Sequence, residues 1–438
     1  MKKDLNQSIF KARRKTLANK LPDSSIVIIP NKGHSIRSND VEYRFRTDND
    51  FYYLTGFEEP NSVFVLKKEK KDFTYFLFVE PKDKEKEIWT GKRIGIEGAK
   101  QIYKADKSFI FSDFEIKLKQ LLQDSTHIFF PLGKNKNLDL KITGLINELK
   151  KSNRTGNKSP KDISDPRDIV HKMRLIKEPY EIDCLKTAAR IAKEAHILAM
   201  AFTRPKLYEY EIEAIIEYRF RTLGSNGAAY PSIVGSGKNA TILHYISNNK
   251  RIQNNDLILI DAGCEYNYYA SDLTRTFPVN KKFSPAQKAI YEIVLEAQLK
   301  SIEQMKPGKR FIDSHNKTVS VLVDGLKEVG LLKGSKENII KRGLYKRFFM
   351  HKVSHWLGLD VHDAGPYLDE KGNSIKLVPG MVMTVEPGIY IPSDPDIPAK
   401  FRGIGIRIED DILITKNGNQ ILTAGTPKTI NEIEAFKD

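Results

Sequence analysis

The chain has 438 residues, of which 40% are hydrophobic and 29% charged, with a formal net charge of +16. That length exceeds one hydrophobic core and implies two domains, in a composition of soluble globular type. No apolar run reaches the length of a membrane span, and lysines interleaved with acids, as in Lys82-Asp83-Lys84-Glu85-Lys86-Glu87, read as a solvated face, so neither a membrane nor a nucleic-acid partner is expected.

The first residues, Met1 to Pro22, are basic and weakly amphipathic through Leu5, Ile9, Phe10 and Leu17, and read as a packed helix rather than a secretory signal. Ser25 to Ile29, Phe51 to Leu54, Ser62 to Leu66, Phe73 to Val79 and His127 to Phe130 are aromatic and β-branched runs that predict strands. Helices are expected over Asp113–Leu122 and Leu138–Leu149, which makes a small mixed α/β domain. Lys150 to Lys161 is polar and aperiodic and is the best linker, with the domain boundary placed between residues 172 and 173. A long helix follows from about Glu178 to Phe202, with its apolar stripe at Ile182, Leu185, Ala189, Ala192 and Ala199, and a second over Glu209–Leu223. After the next strands, Ser284-Pro285-Ala286-Gln287 is a capping box with proline at the first helical position, and another helix spans about Ile312–Val329 before strands return. The order helix, helix, strands thus occurs twice, which suggests a pseudo-symmetric sheet. Two cysteines, Cys184 and Cys264, make no disulfide framework and suit a reducing cytoplasm.

The strands of this second part carry acids where core residues belong. Asp261 ends Leu257-Ile258-Leu259-Ile260, Asp272 precedes Leu273 to Phe277, Glu386 follows Met381 to Val385, and Glu409 closes Gly405 to Ile408. Ionised carboxylates are rarely buried unless paired or bound to metal. With His355 they form an oxygen-dominated donor set suited to Mn²⁺ or a similar hard dication. Four negative donors can hold two dications, a site type that activates water for hydrolysis of amides or phosphoesters. His244, His351 and His362 fall on the same segments, whereas His34, His127, His171, His196 and His315 lie elsewhere and read as surface or packing residues. Gly358 and the Val/Leu alternation make residues 351–363 extended rather than helical, so the imidazoles can serve as one ligand and two polarising donors.

The segments HKVSHWLGLDVHD, DAGCEYNYYASDLTRTFPV, MVMTVEPGIYI and FRGIGIRIEDD resemble aminopeptidase P, the Xaa-Pro aminopeptidase of the pita-bread metallopeptidases, and SNDVEYRFRTDNDFYYLTGFEEP and EIWTGKRIG extend the resemblance to the first domain. It implies an N-terminal α/β domain over 1–172, concerned with oligomerisation and with walling the active site, and a pita-bread catalytic domain over 173–438. It implies a dinuclear site, usually Mn²⁺, in which Asp261 chelates one metal, His355 and Glu386 the other, and Asp272 and Glu409 bridge. A bridging hydroxide attacks the carbonyl before proline, Glu386 relays its proton, and His362 steadies the oxyanion. His244 and His351 line the substrate subsites, with Tyr390 and Arg407 in support. Trp89, otherwise a partly exposed aromatic on a loop or strand end, would reach into a neighbouring subunit of a homotetramer built as a dimer of dimers. Lys352 stands where the family usually has a small residue. Xaa-Pro dipeptidase shares the five ligands and is the alternative activity, and a non-catalytic pita-bread binding protein is the alternative from another class.

Overall fold

The computed structural model describes residues 7–151 and 159–437, and most of the expected linker and the first six residues lie outside the described residues. The chain divides into two compact units, residues 1–173 and 174–438. Among the described residues no helix is long and apolar enough to cross a membrane.

The first unit opens with the helix Gln7–Lys20. Its strands are β1 (Ser25–Pro30), β2 (Ile36–Ser38), β3 (Val41–Glu42), β4 (Val63–Glu69), β5 (Asp72–Val79), β6 (Lys107–Ile110), β7 (His127–Phe129) and β8 (Asp162–Ser164). Six form a mixed sheet in the order β6-β5-β4-β1-β7-β8, while β2 and β3 pair apart from it. Ile26, Ile28, Val65 and Phe78 on one face pack with Leu118 and Leu122 of the helix Phe114–Leu122 and with Ile142 and Leu149 of Lys136–Lys151. Residues of the alternate register, Val27, Phe64 and Leu66, are equally buried, so both faces of the sheet are covered.

Two local expectations fail here. Phe51 to Leu54 is not a strand but the middle of a helix, Asn49–Thr55. The Asp48 side chain accepts from the backbone N–H groups of Asp50 and Phe51, and Gly56 closes the helix in the left-handed conformation at φ 66°. Caps at both ends overrule the β-preference of four aromatic and aliphatic residues. Trp89 lies on neither a loop nor a strand end but in the last turn of a short helix, Lys84–Thr90, capped by Asp83.

In the second unit the helices Pro179–Phe202 and Glu209–Thr222 come first. Leu185, Ala189, Ala192 and Ala199 are buried, and Ala192 and Ala199 share a core with Ile212, Ile216 and Phe220, while Ile182 is half-buried. The strands that follow are β9 (Gly227–Ala228), β10 (Ile233–Ser236), β11 (Leu257–Asp261), β12 (Cys264–Tyr266), β13 (Tyr269–Ala270) and β14 (Thr274–Pro278). The helices Pro285–Ile302 and Phe311–Glu328 then repeat the order, the first opened by the expected box of Ser284 and Gln287. A shorter helix, Lys336–Lys341, precedes β15 (Val382–Val385), β16 (Gly388–Tyr390), β17 (Gly405–Arg407), β18 (Asp410–Thr415) and β19 (Gly418–Ile421). The sheets run β10-β11-β14, β13-β12-β9, β15-β18-β19 and β16-β17.

Candidate metal centre

Asp261 and Asp272 are brought together by a hairpin. Between β12 and β13, Asn267 and Tyr268 both take positive φ, 48° and 72°, the backbone twist a two-residue turn needs. Gly263 lets the returning chain close in, because a Cβ there would stand 1.8 Å from the Ser271 carbonyl oxygen. Asp261 then lies opposite Thr274 across β11 and β14, with Asp272 just before that strand. Glu386 leaves the end of β15, and Glu409 occupies the step between β17 and β18.

His355 reaches them because residues 353–357 run extended beside β15. The N–H of Glu386 donates to the Val353 carbonyl, that of Thr384 to the His355 carbonyl, and that of Leu357 to the Val382 carbonyl. The segment is therefore extended, as its glycine and alternation predict, without being a full strand. His355 Nδ1 lies 3.0 Å from the Trp356 carbonyl oxygen. A carbonyl can only accept, so Nδ1 carries a proton and Nε2 is the ring nitrogen left to face a metal. Nε2 is 3.4 Å from Asp272 Oδ2 and 3.6 Å from Glu386 Oε1. Donor atoms of Asp272, His355 and Glu409 all fall within 4.8 Å of one another. The five predicted ligands share one cavity of about 550 Å³ with His244, His351, His362 and Arg407.

The donors are held from behind. Arg407 donates from Nη2 to Asp261 Oδ2, from Nη1 to the Tyr390 hydroxyl oxygen at 3.0 Å, and from Nε to Thr274 Oγ1. Thr274 Oγ1 donates to Glu409 Oε2 at 2.7 Å. His351 Nδ1 donates to the carbonyl of Lys352, so its Nε2 accepts from Tyr390 at 2.9 Å. The ring of His362 stands edge-on to that of His355 with centroids 4.3 Å apart. Tyr390 thus meets the site through Arg407 and His351. Trp89 belongs to the other unit, where it is 87% exposed.

Burial and mutual repulsion push the Asp261 carboxyl up and Glu409 well up, and Glu386 rises to about 7 chiefly through burial. Burial would lower His355, but the Asp272 hydrogen bond and the Glu386 charge raise it to about 9. Burial, then the charge of Arg407, pushes His351 down to about 4. Three buried acids and the part-buried Glu386, which repel one another around the outer nitrogen of His355, are the donor chemistry two hard dications require. The residues present fit that group.

Tyr230 and Asp411 were not anticipated. The Tyr230 hydroxyl lies within hydrogen-bond reach of both Asp261 and Asp272, and Asp411 Oδ2 accepts from the Asp272 N–H at 3.1 Å. Tyr230 follows two alanines in an aperiodic stretch that carries no signal; Asp411 was visible only as the last acid of Glu409-Asp410-Asp411.

A model of metallopeptidase family M24 matches residues 183–416, and one of the aminopeptidase P N-terminal domain matches residues 10–129. The Xaa-Pro aminopeptidase of Escherichia coli (strain K12) is 41% identical over 434 residues, which cover 99% of this chain and 98% of that relative. The Xaa-Pro aminopeptidase of Haemophilus influenzae is 40% identical over 97% of this chain and 96% of its own length. Among solved structures, Pseudomonas aeruginosa aminopeptidase PepP has a TM-score of 0.96 and 44% identity, covering 99% of this chain and 98% of that one. Zn-substituted E. coli aminopeptidase P in complex with product has a TM-score of 0.96 and 42% identity, covering 99% of each.

Proposed function

The chain belongs to metallopeptidase family M24 as an Xaa-Pro aminopeptidase with the pita-bread catalytic fold, and from that premise we propose how its residues release the first residue of peptides with proline second. The observation that carries the reading is the meeting of Asp261, Asp272, His355, Glu386 and Glu409 in one cavity, with Nδ1 of His355 committed to the Trp356 carbonyl and Nε2 turned to the acids. Asp261 would hold one divalent ion, His355 and Glu386 the second, and Asp272 and Glu409 both. Two such ions, Mn²⁺ by the hardness of the donors, supply Lewis acidity and an activated water when bound.

The chain's own groups do the rest. Acids around Asp261 attract the free amine of the substrate, which restricts cleavage to the first bond. Glu386 takes a proton on its carboxylate and returns it to the leaving proline nitrogen. His362, which lines the cavity beside His355, donates to the oxygen that gains charge as the carbonyl is attacked. His244 and His351 border the proline and downstream positions. Arg407 and Tyr390 fix His351 in the orientation that presents its ring.

The same reading places the enzyme in the cytoplasm as a homotetramer in which Trp89 of one subunit walls the site of another. A large aromatic left 87% exposed beside the equally exposed Ile88 supports a covered position in an assembly. Cleavage of Xaa-Pro and Xaa-Pro-Yaa peptides in Mn²⁺, with metal content measured in parallel, tests the whole scheme. Glu409→Gln should lose at least one metal and nearly all activity while remaining folded. Wild-type metal content and turnover in that variant would remove the dinuclear assignment.

A further inference from the structure

Two lysine or arginine side chains line the catalytic cavity, Arg407 and Lys352. Arg407 is fully committed to Asp261, Tyr390 and Thr274. Lys352 is exposed, and its ammonium makes no ion pair or hydrogen bond among the described residues. Its charge acts on His315, whose ring meets that of Phe349, which in turn packs on His351. Burial, and after it the charges of Lys352 and Lys346, push His315 down to about 4. The cavity therefore has a polarity, with four carboxylates at the donor cluster and an uncompensated cation on the segment that carries His351.

A peptide substrate has the opposite polarity: an ammonium at the residue to be released and a carboxylate at its far end. We propose that Lys352 binds the C-terminal carboxylate of short substrates and so selects tripeptides of the form Xaa-Pro-Yaa. The inference rests on the Xaa-Pro reading above and adds a specificity residue to it. The dimensions agree. An extended chain advances roughly 3.3–3.6 Å per residue, so the carboxylate of a tripeptide ends about 7 Å beyond the attacked carbonyl. Lys352 lies three residues before His355, which bounds their Cα separation at about 11 Å. It also sits one residue outside the ladder that begins at Val353, where the chain leaves β15. A four-carbon stem with a point charge and three rotatable donors suits a target whose position varies with the third residue. An acidic side chain at the third residue would present the same carboxylate chemistry, and the test separates the two sources.

The experiment compares kcat and KM of the Mn²⁺-loaded enzyme for Ala-Pro-Ala, its C-terminal amide, and Ala-Pro-Asp amide. Wild type is expected to prefer the free acid over the amide by about tenfold, almost entirely through KM, with the preference shrinking as salt is added. Lys352→Met should bring that ratio to within about twofold, and Lys352→Arg should keep most of it. Rescue of the amide by aspartate at the third position would assign Lys352 to side-chain rather than terminal carboxylates and overturn the tripeptide claim. Equal kcat/KM for acid and amide in wild type, or an unchanged ratio in folded Lys352→Met, would overturn the role of the lysine altogether. Failure of wild type to cleave any of the three would instead overturn the Xaa-Pro reading beneath it.

Discussion

The hydroxyl of Tyr230 lies 2.7 Å from Oδ1 of Asp261, and the same oxygen is within reach of Asp272. One proton is thus shared between the two acids of the hairpin, and it keeps both carboxylates turned to the cavity. Groups that orient ligands from behind typically contribute about 10–100-fold to metal affinity or activity. Tyr230→Phe should therefore bind Mn²⁺ about tenfold more weakly and lose activity by a similar factor at limiting metal. A metal titration followed by activity checks this, and an unchanged titration midpoint would show that the hydroxyl orients nothing.

Metal removal should have a pH signature. Glu386, raised to about 7, and the raised Asp261 and Glu409 keep protons when folded that the unfolded chain releases. For such acids the folded state loses stability as pH rises from the ordinary carboxylate range towards the folded value. His355 acts in the same sense: its contribution is complete below about 6.5 and is lost as pH rises through about 9. The metal-free protein should then melt at progressively lower temperature from pH 5 to 8, and saturating Mn²⁺ should raise Tm by an amount that grows over that range. A pH-independent gap between the two melting curves would contradict it.

Asp363 should be a stability hinge of the histidine segment. It is buried, accepts from Arg174 at 2.6 Å and Lys177 at 2.9 Å, and receives the N–H of Asp360. Burial would raise its carboxyl, but Lys177 and Arg174 outweigh that and hold it below the usual range. Asp363→Asn removes the counter-charge of buried Lys177 and leaves Arg174 paired with Asp360, and should cost about 3–5 kcal/mol in denaturant unfolding. The sign with pH is opposite to that of the metal ligands: the contribution is full above the ordinary carboxylate pKa and is lost as pH falls through the lower folded value.

His362→Ala should lower kcat about a hundredfold or more and leave KM little changed, because an oxyanion donor acts more strongly on the transition state than on bound substrate. A KM effect alone would make it a binding residue.

Trp89→Ala should raise KM selectively for substrates with large first side chains, since a flat aromatic contributes contact area at low entropic cost. Sedimentation of wild type should give a tetramer, or at least a dimer. A fully active monomer whose Trp89→Ala variant matches wild type would exclude the shared site.

The four proposed acidic ligands were legible because each borders an apolar run, where a carboxylate has no ordinary reason to be. His355 was legible through its spacing to His351 and His362, and Gly358 correctly argued against a helix. Tyr390 and Arg407 were reached only through family resemblance, since a tyrosine and an arginine on strands carry no signal until the structure shows them hydrogen-bonded behind the ligands. Tyr230 had neither signal. The strand preference of Phe51 to Leu54 is overruled by Asp48 and Gly56, whose capping bonds fix a seven-residue helix. The Trp89 helix was hidden for a related reason: its exposed, charge-alternating sequence has no apolar face for a periodicity to reveal.

The donors are divided between the two repeats of the catalytic unit, Asp261 and Asp272 after the first pair of helices, His355, Glu386 and Glu409 after the second. During synthesis the two acids of the first repeat emerge before the other donors, and two acids alone make a poor cage for a dication. On the proposed ligand set, both ions would be held only once the strand step bearing Glu409 has been added. Metal loading would thereby be deferred to a nearly finished chain, and a truncated product that stops between the repeats would remain inert towards peptides.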